Sequence, residues 1–176
     1  MSKKIMSPLF LVVVILIGLF ALVPTVYGFE GRGGNEVRIE AGETVNDDIY
    51  VGANRFVLEG TIDGDLVVGA RDVVINGTVT GDVIAAAQNI TINGTIEDDA
   101  RLAGAILRLE SKAQVGDDLI TSAYGLEMIS GSSLGGELVA SGYQTLMAGQ
   151  VGEGATISSN AVAIRGAISG DLEADV

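Results

Sequence analysis

The chain has no cysteine, no histidine and no tryptophan, and only two prolines in 176 residues. Without cysteine it has no disulfides in any compartment, so packing and hydrogen bonds must hold it together. The lack of histidine removes the side chain most used as a general base near neutral pH, and with it the chemistry of the hexapeptide acyltransferases. Both prolines, Pro8 and Pro24, lie in the first 24 residues. A long body free of proline and rich in Gly, Val, Ile and Thr favours uninterrupted strands and tight turns. Basic residues are also scarce, 10 against 23 acidic ones, for a formal charge of −13. Such a surface repels nucleic acid and anionic headgroups, and no nucleotide-binding motif is present.

Residues 1–28 read as a targeting segment. Lys3 and Lys4 precede an apolar run, Leu9–Val23, and small residues follow near Gly28. This pattern fits a cleaved signal peptide or a retained membrane anchor helix, and the two remain alternatives. Either one leaves the rest of the chain outside the cytoplasm, secreted or membrane-anchored. Gly-rich, mixed-charge residues 29–41 read as a linker, and residues 42–176 as the domain.

The domain is periodic. GTIDGDL (60–66), GTVTGDV (77–83) and GTIEDDA (94–100) recur at 17-residue spacing. Taking the acidic residue as column zero, the series runs Asp48, Asp65, Asp82, Asp99, Asp118, Glu137, Gly154 and Asp171. The two steps that flank Asp118 are 19 residues and the others 17. Column minus three is always Val, Ile or Leu, from Val45 to Ile168. Apolar residues also dominate columns plus one, three, eight and ten, as in Ile49, Val51, Phe56 and Leu58. Alternation within each pair is strand spacing with one face buried. Small residues at plus four and plus five, Asn-Gly pairs such as Asn76-Gly77, and the Gly-Asp site read as three corners. At the Asn-Gly corner the residues tolerate positive φ.

The spacing therefore predicts an all-β fold: a right-handed triangular parallel β-helix of about eight windings, each with three short strands. Helical hairpin repeats need periods of about 33–47 residues and are excluded. Left-handed hexapeptide helices need apolar positions every six residues, which these columns do not provide.

The run LEGTIDGDLVVGARDVVINGTVTGDVIAAAQNITINGTI (58–96) resembles the core of the bactofilins, polymer-forming cytoskeletal proteins of bacteria. The likeness is good over 42–110 and looser over 111–172. It implies a right-handed triangular β-helix that self-assembles into filaments without nucleotide, often at a membrane, as a scaffold. Bactofilins are typically cytosolic, whereas the leader places this domain outside.

The leading functional expectation is a non-enzymatic scaffold that forms a homopolymer through its end windings, with a membrane contact through the N-terminal segment if that is uncleaved. A parallel β-helix leaves two open edges with unpaired N–H and C=O groups. The candidate end residues are Val45, Ile49, Val51, Phe56 and Leu58 at one end and Ile168 and Leu172 at the other. No catalytic residue, cofactor or metal is expected. An exported Ca²⁺-binding or surface-binding module is the alternative, with Asp47-Asp48, Asp98-Asp99 and Asp117-Asp118 as its acidic doublets. Against it, each aspartate can accept a backbone N–H at its own corner. The Thr44, Thr61, Thr78 and Thr95 column reads as a β-favouring ladder, and the Asn-x-Thr sites at Asn76, Asn89 and Asn93 as products of the repeat.

Overall fold

The computed structural model describes residues 30–176, so the expected signal or anchor helix lies outside the described residues. Each winding carries one long and one short strand. The long strands are β1 (Glu30–Ile39), β3 (Ile49–Leu58), β5 (Leu66–Ile75), β7 (Val83–Ile92), β9 (Ala100–Leu109), β11 (Leu119–Met128), β13 (Leu138–Met147), β15 (Ala155–Ile164) and β17 (Leu172–Asp175). Between them run β2 (Thr44–Val45), β4 (Thr61–Ile62), β6 (Thr78–Val79), β8 (Thr95–Ile96), β10 (Gln114–Val115), β12 (Ser133–Leu134), β14 (Gln150–Val151) and β16 (Ala167–Ile168). The long strands stack in order as one parallel nine-stranded sheet and the short ones as an eight-stranded sheet. The chain is a parallel β-solenoid of about nine turns. At about 4.8 Å per winding the stack is about 43 Å long.

Where three short strands were expected, two of them are one bent strand. Inward positions fall at the first, third, eighth and tenth residues of each long strand, as in Val83, Ala85, Ile90 and Ile92. Moving from the third to the eighth requires a slip in the alternation, because side chains alternate with period two. The slip sits at the small residues, where the ladder pairing passes over the sixth residue of each strand: Ala87 pairs with Gly104 and Asn89 with Ile106. The small corner is thus a bend within a strand and not a break between strands.

Glu30–Ile39, expected to be linker, is a further winding. It runs in register with β3, pairing Val37 with Phe56 and Ile39 with Leu58 at a 19-residue offset. Val37-x-Ile39 is the same inward pair as Phe56-x-Leu58, and its apolar spacing was the available signal. It was masked because column zero falls on Phe29, which is not acidic, and because Glu, Arg and Gly surround the pair.

The core is the stack of inward columns. Ile39, Leu58, Ile75, Ile92 and Leu109 are fully buried, as are Ile49, Leu66, Val83, Ala100 and Leu119. Toward the C-terminal windings polar groups enter it. Thr145 and Ser159 pair through their hydroxyls at 2.8 Å. Ser132 Oγ donates to the Ile129 carbonyl at 2.7 Å. Thr121 Oγ1 is buried with no hydrogen-bond partner among the described residues.

The corner that carries Asn-Gly obeys packing, not backbone handedness. Gly77 and Gly94 do not adopt positive φ, contrary to the expectation from their type. A Cβ on Gly77 would overlap the Gly60 carbonyl, and one on Gly94 the Gly77 carbonyl. In the 19-residue windings the same column holds Ala113 and Ser132, both fully buried. There the two extra residues widen the corner into a turn closed by Ala113 N–H to Glu110 O (2.9 Å) or Ser132 N–H to Ile129 O (3.0 Å). Glu40–Glu43 makes the same turn, and Gly42 and Gly131 hold its left-handed position at φ 86° and 101°.

Candidate functional site

The first and last described windings differ chemically. Of the expected N-terminal contact residues Val45, Ile49, Val51, Phe56 and Leu58, the four on β3 lie one winding in from the first described long strand. All five are buried: Ile49, Val51, Phe56 and Leu58 lie on β3 with β1 paired over it, while Val45 lies on β2, the last short strand of its sheet among the described residues. In β1 the inward positions that match Ile49 and Val51 are Glu30 and Arg32. Arg32 pairs with Glu30 at 2.8 Å and with Glu43 at 3.2 Å. The Glu43 carboxyl is held below the usual range by the Glu40 N–H it accepts, and further by Arg32. Charges at these two inward positions interrupt the apolar column in the first described winding, which Val37 and Ile39 continue.

The C-terminal end continues that column. Ile164 and Ile168 are half-buried, and Leu172 is 48% exposed. Strand β17 pairs with β15 on one side only among the described residues. Of the expected end residues, Ile168 is half-buried on β16 and Leu172 is exposed at the start of β17.

The acidic column is a hydrogen-bonded ladder. Each Oδ1 accepts the backbone N–H of the acidic residue one winding later, and not one at its own corner. Asp48 holds Asp65 at 2.9 Å, Asp65 holds Asp82 at 2.9 Å, and Asp82 holds Asp99 at 3.2 Å. Asp99 holds Asp118 at 2.9 Å and Asp118 holds Glu137 at 2.8 Å. These are charge-assisted bonds that satisfy corner N–H groups. They account for the acids from Asp48 to Asp118, where repulsion alone would disfavour them.

Three carboxylates of the expected doublets converge. Oxygens of Asp98, Asp99 and Asp117 lie within 4.8 Å of one another. Asp117 is pushed above the usual carboxylate range, first by loss of hydration and then by the charges of Asp118, Asp99 and Asp98. Arg101 answers part of this charge, with Nη2 at 2.7 Å from Asp99 and Nη1 at 2.8 Å from Asp82. Asp47 Oδ1 turns back to the Asp48 N–H at 2.9 Å.

Sequence reasoning sorted the inward columns and passed over an outward one. Two residues after the acid, the second position of each long strand holds Tyr50, Val67, Ile84, Arg101, Ile120, Val139 and Thr156 in register. Ile84, Ile120 and Val139 are 47%, 45% and 40% exposed. Beside them lies a groove of about 360 Å³ floored by Ala86, Ala103, Ser122 and Ser141. At the bend, Tyr124 and Tyr143 stack with ring centroids 4.9 Å apart and planes 8° from parallel, both exposed. The signal for both was present in the columns of the repeat, once the polar-facing positions are read as closely as the apolar ones. A scan against protein-family models, a search of curated proteins and a search of solved structures return no match to this chain.

Proposed function

We propose that the chain is a non-enzymatic structural scaffold, a bactofilin-like β-helix that self-associates end to end at the extracytoplasmic face of a membrane. The β-solenoid supplies the rod, and the observation that carries the reading is its C-terminal face. There, among the described residues, Ile164 and Ile168 are half-buried, Leu172 is exposed and β17 is paired on one side. An exposed apolar strand edge is a template for another strand. The first described winding carries the Glu30, Arg32 and Glu43 ion pairs beside the buried Val37 and Ile39. Support for the extracytoplasmic location is the apolar leader with its two N-terminal lysines.

Sedimentation velocity and electron microscopy on the full chain in neutral detergent test this reading. The expected result is rods longer than one solenoid, lost in an Ile168→Asp, Leu172→Asp variant that keeps its circular dichroism spectrum. Monomers only, at high protein concentration, overturn it. The alternative of a Ca²⁺-binding module rests on Asp98, Asp99 and Asp117, and a thermal melt with and without Ca²⁺ separates the two.

A further inference from the structure

We infer that the outer face carrying Val67, Ile84, Ile120 and Val139 is a docking surface for a cationic amphipathic helix laid along the solenoid axis. The first ground is the apolar column itself. Ile84, Ile120 and Val139 are each about half exposed on positions that face away from the core, where alternation would place polar residues. Arg101 is the one charge in the middle of the column. Its guanidinium turns to Asp82 and Asp99 at 2.8 and 2.7 Å, which lays its stem along the stripe and its charge at the border.

The second ground is what flanks the stripe. Two residues to one side runs the acidic ladder, in which one oxygen of Asp65 and one of Asp118 hold the next winding's N–H. The other oxygen of each has no hydrogen-bond or ion-pair partner among the described residues. Two residues to the other side are Ala86, Ala103, Ser122 and Ser141, whose short side chains leave the groove open. From acid column to small column is about 13 Å, wide enough for the 10–12 Å of one α-helix. From the winding of Tyr50 to that of Val139 is about 24 Å, which roughly 16 helical residues match.

The backbone decides which secondary structure fits. Every long strand between β3 and β15 is paired on both sides, so this face offers no free N–H or C=O to an added strand. Its occupant must satisfy its own backbone groups and bind through side chains, as a helix does. Charge decides the sign. The acidic ladder repels anionic lipid, nucleic acid and a second copy of this acidic chain, and attracts lysine and arginine.

The probe is a roughly 16-residue peptide of leucine and lysine set at helical spacing, against a scrambled peptide of the same composition. Calorimetric titration into the full chain is expected to give saturable binding of the helical peptide. That binding weakens about tenfold or more in Ile84→Ser, Ile120→Ser, outward changes whose folding is checked by an unchanged melt. Asp65→Asn, Asp118→Asn keeps the ladder acceptors and is expected to flatten the salt dependence. Equal binding of the scrambled peptide, or no loss in the isoleucine variant, overturns the proposal. So does a change in self-association in the isoleucine variant, which would give this face to a second copy; the end-face variant Ile168→Asp, Leu172→Asp is expected to bind the peptide normally.

Discussion

Asp117 concentrates the electrostatic cost of the repeat. Its carboxyl, though exposed, lies above the usual range, first through some loss of hydration and then through the like charges of Asp118, Asp99 and Asp98. A carboxyl whose folded pKa is raised binds its proton more tightly in the folded state, so the ionised form works against folding. That cost is complete above the folded pKa and is relieved as pH falls through it toward the unfolded value. Asp117→Asn is thus expected to raise the denaturation midpoint at neutral pH. The gain should shrink to nothing once pH is below the unfolded carboxyl range near 4. Denaturant titrations at several pH values read this directly, and a loss of stability at neutral pH would show that the Asp117 carboxylate has a structural partner.

Within one winding, length and side-chain size are tied together at the Asn-Gly corner. Seventeen-residue windings pass the corner with Asn93 and Gly94 both donating to the Ile75 carbonyl, at 2.8 and 3.0 Å, and leave no room for a Cβ. Nineteen-residue windings close a separate turn there and admit Ala113 or Ser132. Gly94→Ala is expected to destabilise the protein by about 1–3 kcal/mol, the usual cost of overpacking. Ala113→Gly should cost about 1 kcal/mol or less, since it only loses a methyl contact and frees the backbone. Chemical denaturation of the two variants gives the comparison. The sequence showed where the two extra residues fall, but not why glycine is replaced there. A carbonyl from the neighbouring winding is a contact between residues 17 apart, and composition does not reveal it. The bend inside each long strand was likewise visible as a slip from column three to column eight, yet read as a break because small residues mark corners of both kinds. The outward stripe escaped for a different reason: β-branched residues suit any strand, so their exposure is known only when the register fixes which way they face.

At the scale of the molecule, each winding touches mainly its two neighbours, and stability adds along the stack. A 17-residue excision that respects the columns should therefore be tolerated. Deleting Gly77–Asn93 rejoins Asn76 to Gly94 and keeps the Asn-Gly corner. The shortened chain is expected to keep its β-type circular dichroism and melt cooperatively at a somewhat lower temperature. Deleting one residue fewer turns every later inward side chain outward until a bulge absorbs it, and is expected to abolish the cooperative melt. Equal tolerance of both deletions would mean that register is not set by the buried columns. The first winding was hidden from sequence reading because its ends carry the polar residues of an end, not of a repeat. Glu30 and Arg32 occupy core columns and look like linker when read singly.

The acidic ladder has one more property, which concerns time and not energy. Each carboxylate from Asp48 to Asp118 grips the winding that follows it. A nascent chain emerging N-terminus first therefore lays down every acceptor before the donor it will hold. The solenoid can close in the order in which it is made, with each finished corner presenting the docking point for the next.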